Sequence, residues 1–363
     1  MIHPNQSQPM LSVRDFGARG DGQTDDTAAI QAAIDAARDA GGGGVWFPAG
    51  RYLSSTLKLH AYVGLFAAPT WSYHHHGGTQ LVLADPQAKC LLDLSAAYGS
   101  RVSGLGISGE KLGQGIHGIY LDGTLHNQED TIFIEDCRIS LFTGDAIRLD
   151  SIFGFTLRDC MIIFNDGDGL SFSHYDGWVH DCIFNNNGGY GIHGRPWNGS
   201  VTVIGNRIEW NDKGGICLGH GGTFNINNNY IDRSGGPGIY LHSGEAVDRA
   251  SGPASGFTIM GNVIYRSGAK TPAEAQENCH ILLDFVAGVT LTGNVMKVGV
   301  NDSGEGLLSP TYGIVYGQLA DSVIKDNTWY YGVTREFLVD RGGHDGEVIV
   351  KDNPGRVGDK PVY

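Results

Sequence analysis

The sequence predicts an all-β chain: a right-handed parallel β-helix solenoid with an N-terminal capping α-helix. Three observations predict it. A Gly/Ala-apolar-x-apolar string recurs from residue 118 onward. A second string, Asp-Cys and later Asn, recurs beside it with the same period. One amphipathic helical segment stands ahead of both. A fixed period of 20 to 50 residues marks a repeat architecture.

The first string reads Gly118-Ile119-Tyr120-Leu121, Ala146-Ile147-Arg148-Leu149 and Gly169-Leu170-Ser171-Phe172. It continues as Gly191-Ile192-His193, Gly215-Ile216-Cys217-Leu218 and Gly238-Ile239-Tyr240-Leu241. Between Ile147 and Ile239 the steps are 23, 22, 24 and 23 residues. The second string passes through Cys137, Cys160 and Cys182, then Asn206, Asn229, Asn262, Asn294, Asn327 and Asn353. From Cys137 to Asn229 its steps are again 23, 22, 24 and 23. Later steps of 32 and 33 residues are a coil plus an insertion. Short alternating strands place apolar residues inward and polar residues outward, with Gly, Asn and Asp at the turns. One such coil cannot bury its own inner face, so coils must stack. The three cysteines then read as small buried core residues in equivalent slots, not as disulfides or metal ligands. The repeats lack the 3.6-residue period of an α-solenoid, and blades of a propeller need about 40–45 residues.

Residues 1–60 form the expected cap segment, 61–355 the β-helix with insertions near 268–279 and 299–311, and 356–363 a C-terminal tail. Ile30, Ala33, Ile34 and Ala37 make one apolar stripe of the cap helix, and Asp25 or Asp26 can cap it. Gly41–Gly44 follow the helix, so they end it and turn; a phosphate loop would precede it.

The formal charge is −14, which argues against a nucleic-acid partner. Between Gly118 and Ala250 there are 17 Asp and Glu against 8 Lys and Arg. A polyuronate lying there needs a few well-placed Arg or bridging Ca2+. No apolar run approaches ~20 residues, so no membrane span is expected. Met1–Val13 lacks the charged start and apolar core of a signal peptide. A secreted or periplasmic location follows only if a leader was removed; otherwise the expectation is cytoplasmic. His74, His75 and His76 cannot all face one ion from an ordinary strand, so no metal site is assigned.

Residues Val13 to Tyr52 read Val-Arg-Asp-Phe-Gly-Ala-Arg-Gly-Asp-Gly-Gln-Thr-Asp-Asp-Thr, then the helix, then Val45-Trp46-Phe47-Pro48-Ala49-Gly50-Arg51-Tyr52. This segment resembles the N-terminal segment of the pectate lyase and polygalacturonase superfamily, shared by alginate epimerases and phage tailspikes. The resemblance implies a parallel β-helix and a carbohydrate substrate, and it does not choose a reaction. In polygalacturonase-like hydrolases, Asn-Thr-Asp, Asp-Asp and Gly-His-Gly stand on successive coils. The corresponding strings here are Thr143-Gly144-Asp145, Asp166-Gly167-Asp168 and Gly189-Tyr190-Gly191. Asp145 and Asp168 match in slot, whereas Gly167 replaces one Asp and Tyr190 replaces the His.

Asp145, Asp166 and Asp168 are therefore the candidate catalytic set, because crowded carboxylates let one stay protonated as the acid. The competing reading of Asn165–Gly169 is an ordinary Asp/Gly turn. Arg148, Tyr190, His193, Arg195, Trp210, His220 and His242 are candidate substrate-binding residues. Glu209, Asp212 and Glu245 are reserve carboxylates. The expected function is a glycoside hydrolase or transglycosidase, a fructan-cleaving transferase included, acting on a polysaccharide or oligosaccharide without a cofactor. The alternatives are a lyase or epimerase on a polyuronate, with Ca2+ as its helper, and a tailspike-like glycan-binding protein. A homotrimer is compatible with this architecture.

Overall fold

The computed structural model describes residues 10–74, 77–125, 131–244 and 252–358. The chain divides into two compact units, one up to Asp166 and one from Gly167. Both are stacks of parallel strands.

In the first unit, Met10–Ser12, Gly43–Trp46, Val63–Phe66, Arg101–Ser103 and Ile132–Glu135 pair in succession. Leu57–His60, Cys90–Ala96, His117–Asp122 and the start of Ile147–Arg158 form a second stack. Short strands from Asp21–Asp25 to Met161–Ile163 form a third. The helix Thr27–Asp39 buries Ile30, Ala33, Ile34 and Ala37 completely. Its capping is shared between the two aspartates. Asp26 occupies the cap position, yet its carboxylate accepts the backbone N–H of Arg19 at 2.7 Å and of Gly20 at 2.9 Å. Asp25 instead accepts the Thr27 N–H at 2.9 Å. Gly41, Gly42 and Gly43 take φ of 87°, 117° and 143°, which ends the helix and turns the chain. Gly43 and Gly44 then open the next strand.

In the second unit each coil has three faces. The first carries the Gly-apolar string, for example Gly214–Gly219, Ile239–His242, Cys279–Asp284 and Tyr312–Gly317. The second carries Gly222–Asn227, Ala254–Met260, Val286–Thr292 and Ala320–Lys325. The third is the three-residue strands Ile183–Asn185, Arg207–Glu209, Tyr230–Asp232, Val263–Tyr265 and Val295–Lys297. Leu170–His180 and Tyr190–Ile204 each run over the first two faces, with a register shift in their pairing between Phe172 and His174. Two loops extend the coils: Gly268 to Asn278, and a loop closed by the Gly299–Ser309 bridge.

The Cys/Asn string is a buried corner ladder. Asn206, Asn229, Asn262, Asn294 and Asn327 are at most 1% exposed, and each side chain accepts from the coil before and donates to the coil after. Cys137 and Cys160 fill the slot in the first unit, where the Cys160 sulfur accepts the Cys137 N–H at 3.4 Å. All six cysteines are free and buried. The residue just before the ladder is left-handed: Asp136, Asp159, Asp181, Asn228, Asp326 and Asp352 have φ of 52–56°. That explains the Asp-Cys and Asn-Asn dipeptides, since Asp, Asn and Gly visit this region most readily.

A second ladder escapes the sequence pattern. Asn187 donates to Asn211 at 2.9 Å, and Ser234 and Ser267 continue the column. It lies under the repeating glycine. A Cβ at Gly191 would come within 2.6 Å of the Ile208 side chain and 3.0 Å of the Asn211 amide. The glycine repeat is therefore a packing requirement of this corner.

His280 is fully buried, with Nε2 2.8 Å from the Gly332 carbonyl. Burial pulls its pKa down to about 4 from 6.5. Because the folded pKa is depressed, the unfolded chain binds more protons between these values, so stability rises with pH there. The contribution is complete above pH 6.5 and is lost as pH falls toward 4. The denaturation midpoint should fall between pH 7 and 4.5 by the equivalent of about 3 kcal/mol, and His280→Gln should remove most of that slope.

Candidate functional site

The outward row on the first face of the second unit is Ser171, His193, Cys217, Tyr240, Leu282, Val315 and Val339 in register. Its later part is apolar: Leu282, Val315 and Val339 are buried with Cys279 and Tyr312, and Tyr240 packs against them. Within this row, polar side chains therefore run from Ser171 to Tyr240.

Asp168 stands just before Leu170–His180 and is 9% exposed. One carboxylate oxygen accepts the Tyr190 backbone N–H at 2.7 Å, and the other lies 2.7 Å from His193 Nδ1. A carboxylate at Nδ1 holds the proton there and leaves Nε2 of the neutral ring as an acceptor. The Tyr190 ring lies against His193, with centroids 5.0 Å apart. Burial, and then the adjoining Cys217 thiol, push the Tyr190 phenol above its usual value. Burial likewise pushes Cys217 to about 12, so it is a neutral thiol and no nucleophile. His242 stacks on Tyr240 at 4.6 Å, accepts the Gly244 N–H at 2.9 Å and approaches Cys217 Sγ at 3.6 Å. His220 meets His242 edge-on at 5.5 Å and lines a cavity of about 190 Å3 with Trp197, Ser243 and Pro253. Arg195 follows His193 by two residues in the same strand, in the stretch between Gly194 and Asn198 where the pairing register shifts.

In the first unit, the Asp145 backbone N–H donates to His117 Nδ1 at 3.0 Å, and its carboxylate lies 3.9 Å from that ring. Burial pulls His117 down more than Asp145 raises it. Arg148 pairs with Asp150 at 3.1 Å. Asp166 pairs with Lys111 at 2.5 Å in a half-exposed setting, which makes it a counter-ion in this structure. Glu209 and Asp212 lie on and beside the third face. Glu209 is buried, held by Arg207 at 2.8 Å and Asn185 at 3.2 Å, while Asp212 pairs with Lys270 at 2.5 Å. Trp210 sits between them, with the Arg266 guanidinium 5.8 Å from its ring. Glu245, His75 and His76 lie outside the described residues. Among the described residues, no three His, Cys, Asp or Glu side chains converge as a metal set.

Asp168, Tyr190, His193 and His242 are thus brought together, with Cys217 and Tyr240 of the repeating strings beside them. The missed signal was the offset. His193 lies 25 residues after Asp168, one 22-residue coil plus three residues, so the contact crosses coils diagonally.

A family model described as "Rhamnogalacturonase A/epimerase, pectate lyase-like" matches residues 10–240, and one described as "Right handed beta helix region" matches 195–353. Mannuronan C5-epimerase AlgE3 of Azotobacter vinelandii is 29% identical over 263 residues, 65% of this chain. Alginate lyase 7 of the same organism is 71% identical over 41 residues, 11% of the chain. The chain spans 14% of the length of that epimerase and 5% of that lyase. The A-module of mannuronan C-5 epimerase AlgE6 from A. vinelandii superposes with a TM-score of 0.63 at 21% identity, covering 96% of this chain and 100% of that one. The catalytic unit of a GH87 α-1,3-glucanase from Streptomyces thermodiastaticus gives 0.62 at 21% identity, covering 95% and 70%. The tailspike of E. coli bacteriophage HK620 gives 0.70 at 14% identity, covering 95% and 65%. These structural likenesses establish the right-handed parallel β-helix. With 231 of its 363 residues (10 to 240) inside one family match, the chain belongs to the rhamnogalacturonase A/epimerase, pectate lyase-like family.

Proposed function

We propose that this protein is a polysaccharide-acting enzyme that removes the proton beside a uronate carboxylate, at C5, as an epimerase or lyase of a polyuronate. The observation that carries this reading is the Asp168–His193 pair with Tyr190 against it. His193 Nε2 is the base for the C5 proton, with Asp168 holding the ring and stabilising its charged form. Tyr190, kept protonated by burial, is the proton donor. It returns a proton to the carbanion in an epimerase, or protonates the leaving oxygen in a lyase. The carbanion is stabilised when the substrate carboxylate is neutralised, and Arg195 is the residue assigned to that role. Relatives that are mannuronan epimerases and an alginate lyase support the substrate class.

Glycosidic hydrolysis needs two carboxyls facing one bond, about 5–9.5 Å apart. Asp168 is engaged through both oxygens by His193 and Tyr190, and Asp166 by Lys111, so neither stands ready as a free acid. The test is incubation with polymannuronate, polygalacturonate and neutral glucans in D2O, with and without Ca2+. Deuterium at C5 with intact chains is the expected epimerase outcome, and ultraviolet-absorbing ends the lyase outcome. New reducing ends with neither signal would overturn the proposal in favour of hydrolysis.

A further inference from the structure

The corner between the third and first faces of the second unit carries a column of left-handed residues on successive coils. These are Asn186, Trp210, Arg233 and Arg266, with φ of 54°, 56°, 53° and 51°. Asn suits this conformation, but Trp and Arg do not, at a cost of about 1–2 kcal/mol each. The two arginines have different fates. Arg266 is clamped by Asp232, at 2.8 and 2.5 Å, and by Asp302. Arg233, 3% exposed, bonds to neutral groups among the described residues: the Asn301 side chain, the Leu307 carbonyl at 3.1 Å and the Ser309 hydroxyl at 3.0 Å. Those bonds use Nε and Nη1. Nη2 lies beneath Gly306.

Gly306 and Arg233 line a cavity of about 190 Å3, with Trp210, Asn186, Lys270 and Asp212 among its other walls. One liquid water occupies about 30 Å3, so the space fits a single small ring. Among the titratable walls, Arg233 and Lys270 outnumber Asp212 by one charge. Asp232 and Asp302 act on Arg233 across space, but both are bonded to Arg266, so the buried Arg233 charge is only partly compensated, which is costly. Burial, and then Arg266 beside it, lower the Arg233 pKa.

We propose that this corner cavity is a binding site for a single acidic sugar, whose carboxylate meets Arg233 Nη2 and whose ring lies against Trp210. It is separate from the Asp168–His193 face and does not depend on the reaction assigned there. The insertion carrying Asn301, Leu307 and Ser309 exists to close it. A neutral sugar lacks the charge that Arg233 requires, and a bare carboxylate lacks the ring that Trp210 covers.

The test is calorimetric titration of the full chain with sodium glucuronate, against glucose and acetate at equal concentration and ionic strength. Glucuronate should bind at least fivefold more tightly than either. Arg233→Gln should weaken it tenfold or more. Because Arg233 also ties down the insertion, two rim variants carry the proposal if that one misfolds. Asp212→Asn should tighten binding severalfold, and Lys270→Gln should weaken it severalfold. Equal affinity for acetate, or glucuronate binding that neither rim variant alters, would overturn it. Repeating the titration on Asp168→Asn separates the two sites: affinity unchanged there supports the corner site, whereas loss of binding assigns glucuronate to the first face.

Discussion

His193→Gln is expected to lower turnover on a polyuronate by about 10²–10⁴-fold, the usual worth of a positioned general base. Asp168→Asn should cost a similar amount for a different reason. The amide would still accept the Tyr190 N–H, but its NH2 would face Nδ1, which could no longer carry the proton. The ring would switch tautomer and Nε2 would cease to be a base. The two residues act as one unit, so the double variant should be little worse than either single one. Tyr190→Phe separates the roles. With the base intact, exchange of the C5 proton with solvent should persist while inversion or elimination falls by 10²-fold or more, an order of magnitude set by the loss of one proton donor. Since burial raises the Tyr190 pKa, its phenol stays protonated through neutral and mildly alkaline pH, so no alkaline loss of activity below about pH 10 should trace to it. Deuterium exchange and product analysis on the same samples read all four variants. Exchange abolished in Tyr190→Phe but retained in His193→Gln would exchange the assigned roles.

Much of the fold was legible because a solenoid repeats its constraints. The buried Cys and Asn slots recur at one period, and each has the same physical cause, a side chain that must bond to the coils beside it. The second ladder was not legible, since its column changes from Asn211 to Ser234 and follows Trp210 and Arg233, which do not look like corner residues. The candidate site was legible by slot and not by partner. Asp145, Asp166 and Asp168 share a sequence pattern, but what each faces is set by other coils. Lys111, 55 residues before Asp166, neutralises it, and His193 claims Asp168. Cys217 reads as outward by alternation, yet it is 2% exposed beneath its neighbours, which no pattern of strand alternation can reveal.

The corner ladder carries the largest expected effect on stability, and Asn229 is its best test. Its Oδ1 accepts the Asn206 N–H and the Asn206 Nδ2, both at 3.0 Å. Its Nδ2 donates to the Val203 carbonyl and to Asn262 Oδ1, again at 3.0 Å. At 1% exposure, no water replaces these partners. Asn229→Ala takes a partner from two donors and two acceptors on the adjoining coils at once. Asn262 Oδ1 keeps the Asn229 N–H, and Asn206 Nδ2 keeps the Val179 carbonyl. The loss therefore falls short of four full orphans, each of which costs roughly 1–3 kcal/mol. Some relaxation will soften the sum, so a loss of about 3–5 kcal/mol is expected. Asn229→Cys should cost clearly less. Sulfur at this slot already accepts a neighbouring N–H at 3.4 Å and approaches a carbonyl at 3.2 Å in the Cys137–Cys160 pair. Asn225→Ala, on the exposed outside of the adjacent strand, should change little. Because each coil touches only its neighbours, the damage should spread outward from the altered coil and not fall evenly. Hydrogen exchange should therefore show the amides of Arg207–Glu209, Tyr230–Asp232 and Val263–Tyr265 losing protection before those of the helix Thr27–Asp39. Equal costs for the Ala and Cys variants would mean that filling the slot matters and the hydrogen-bond column does not.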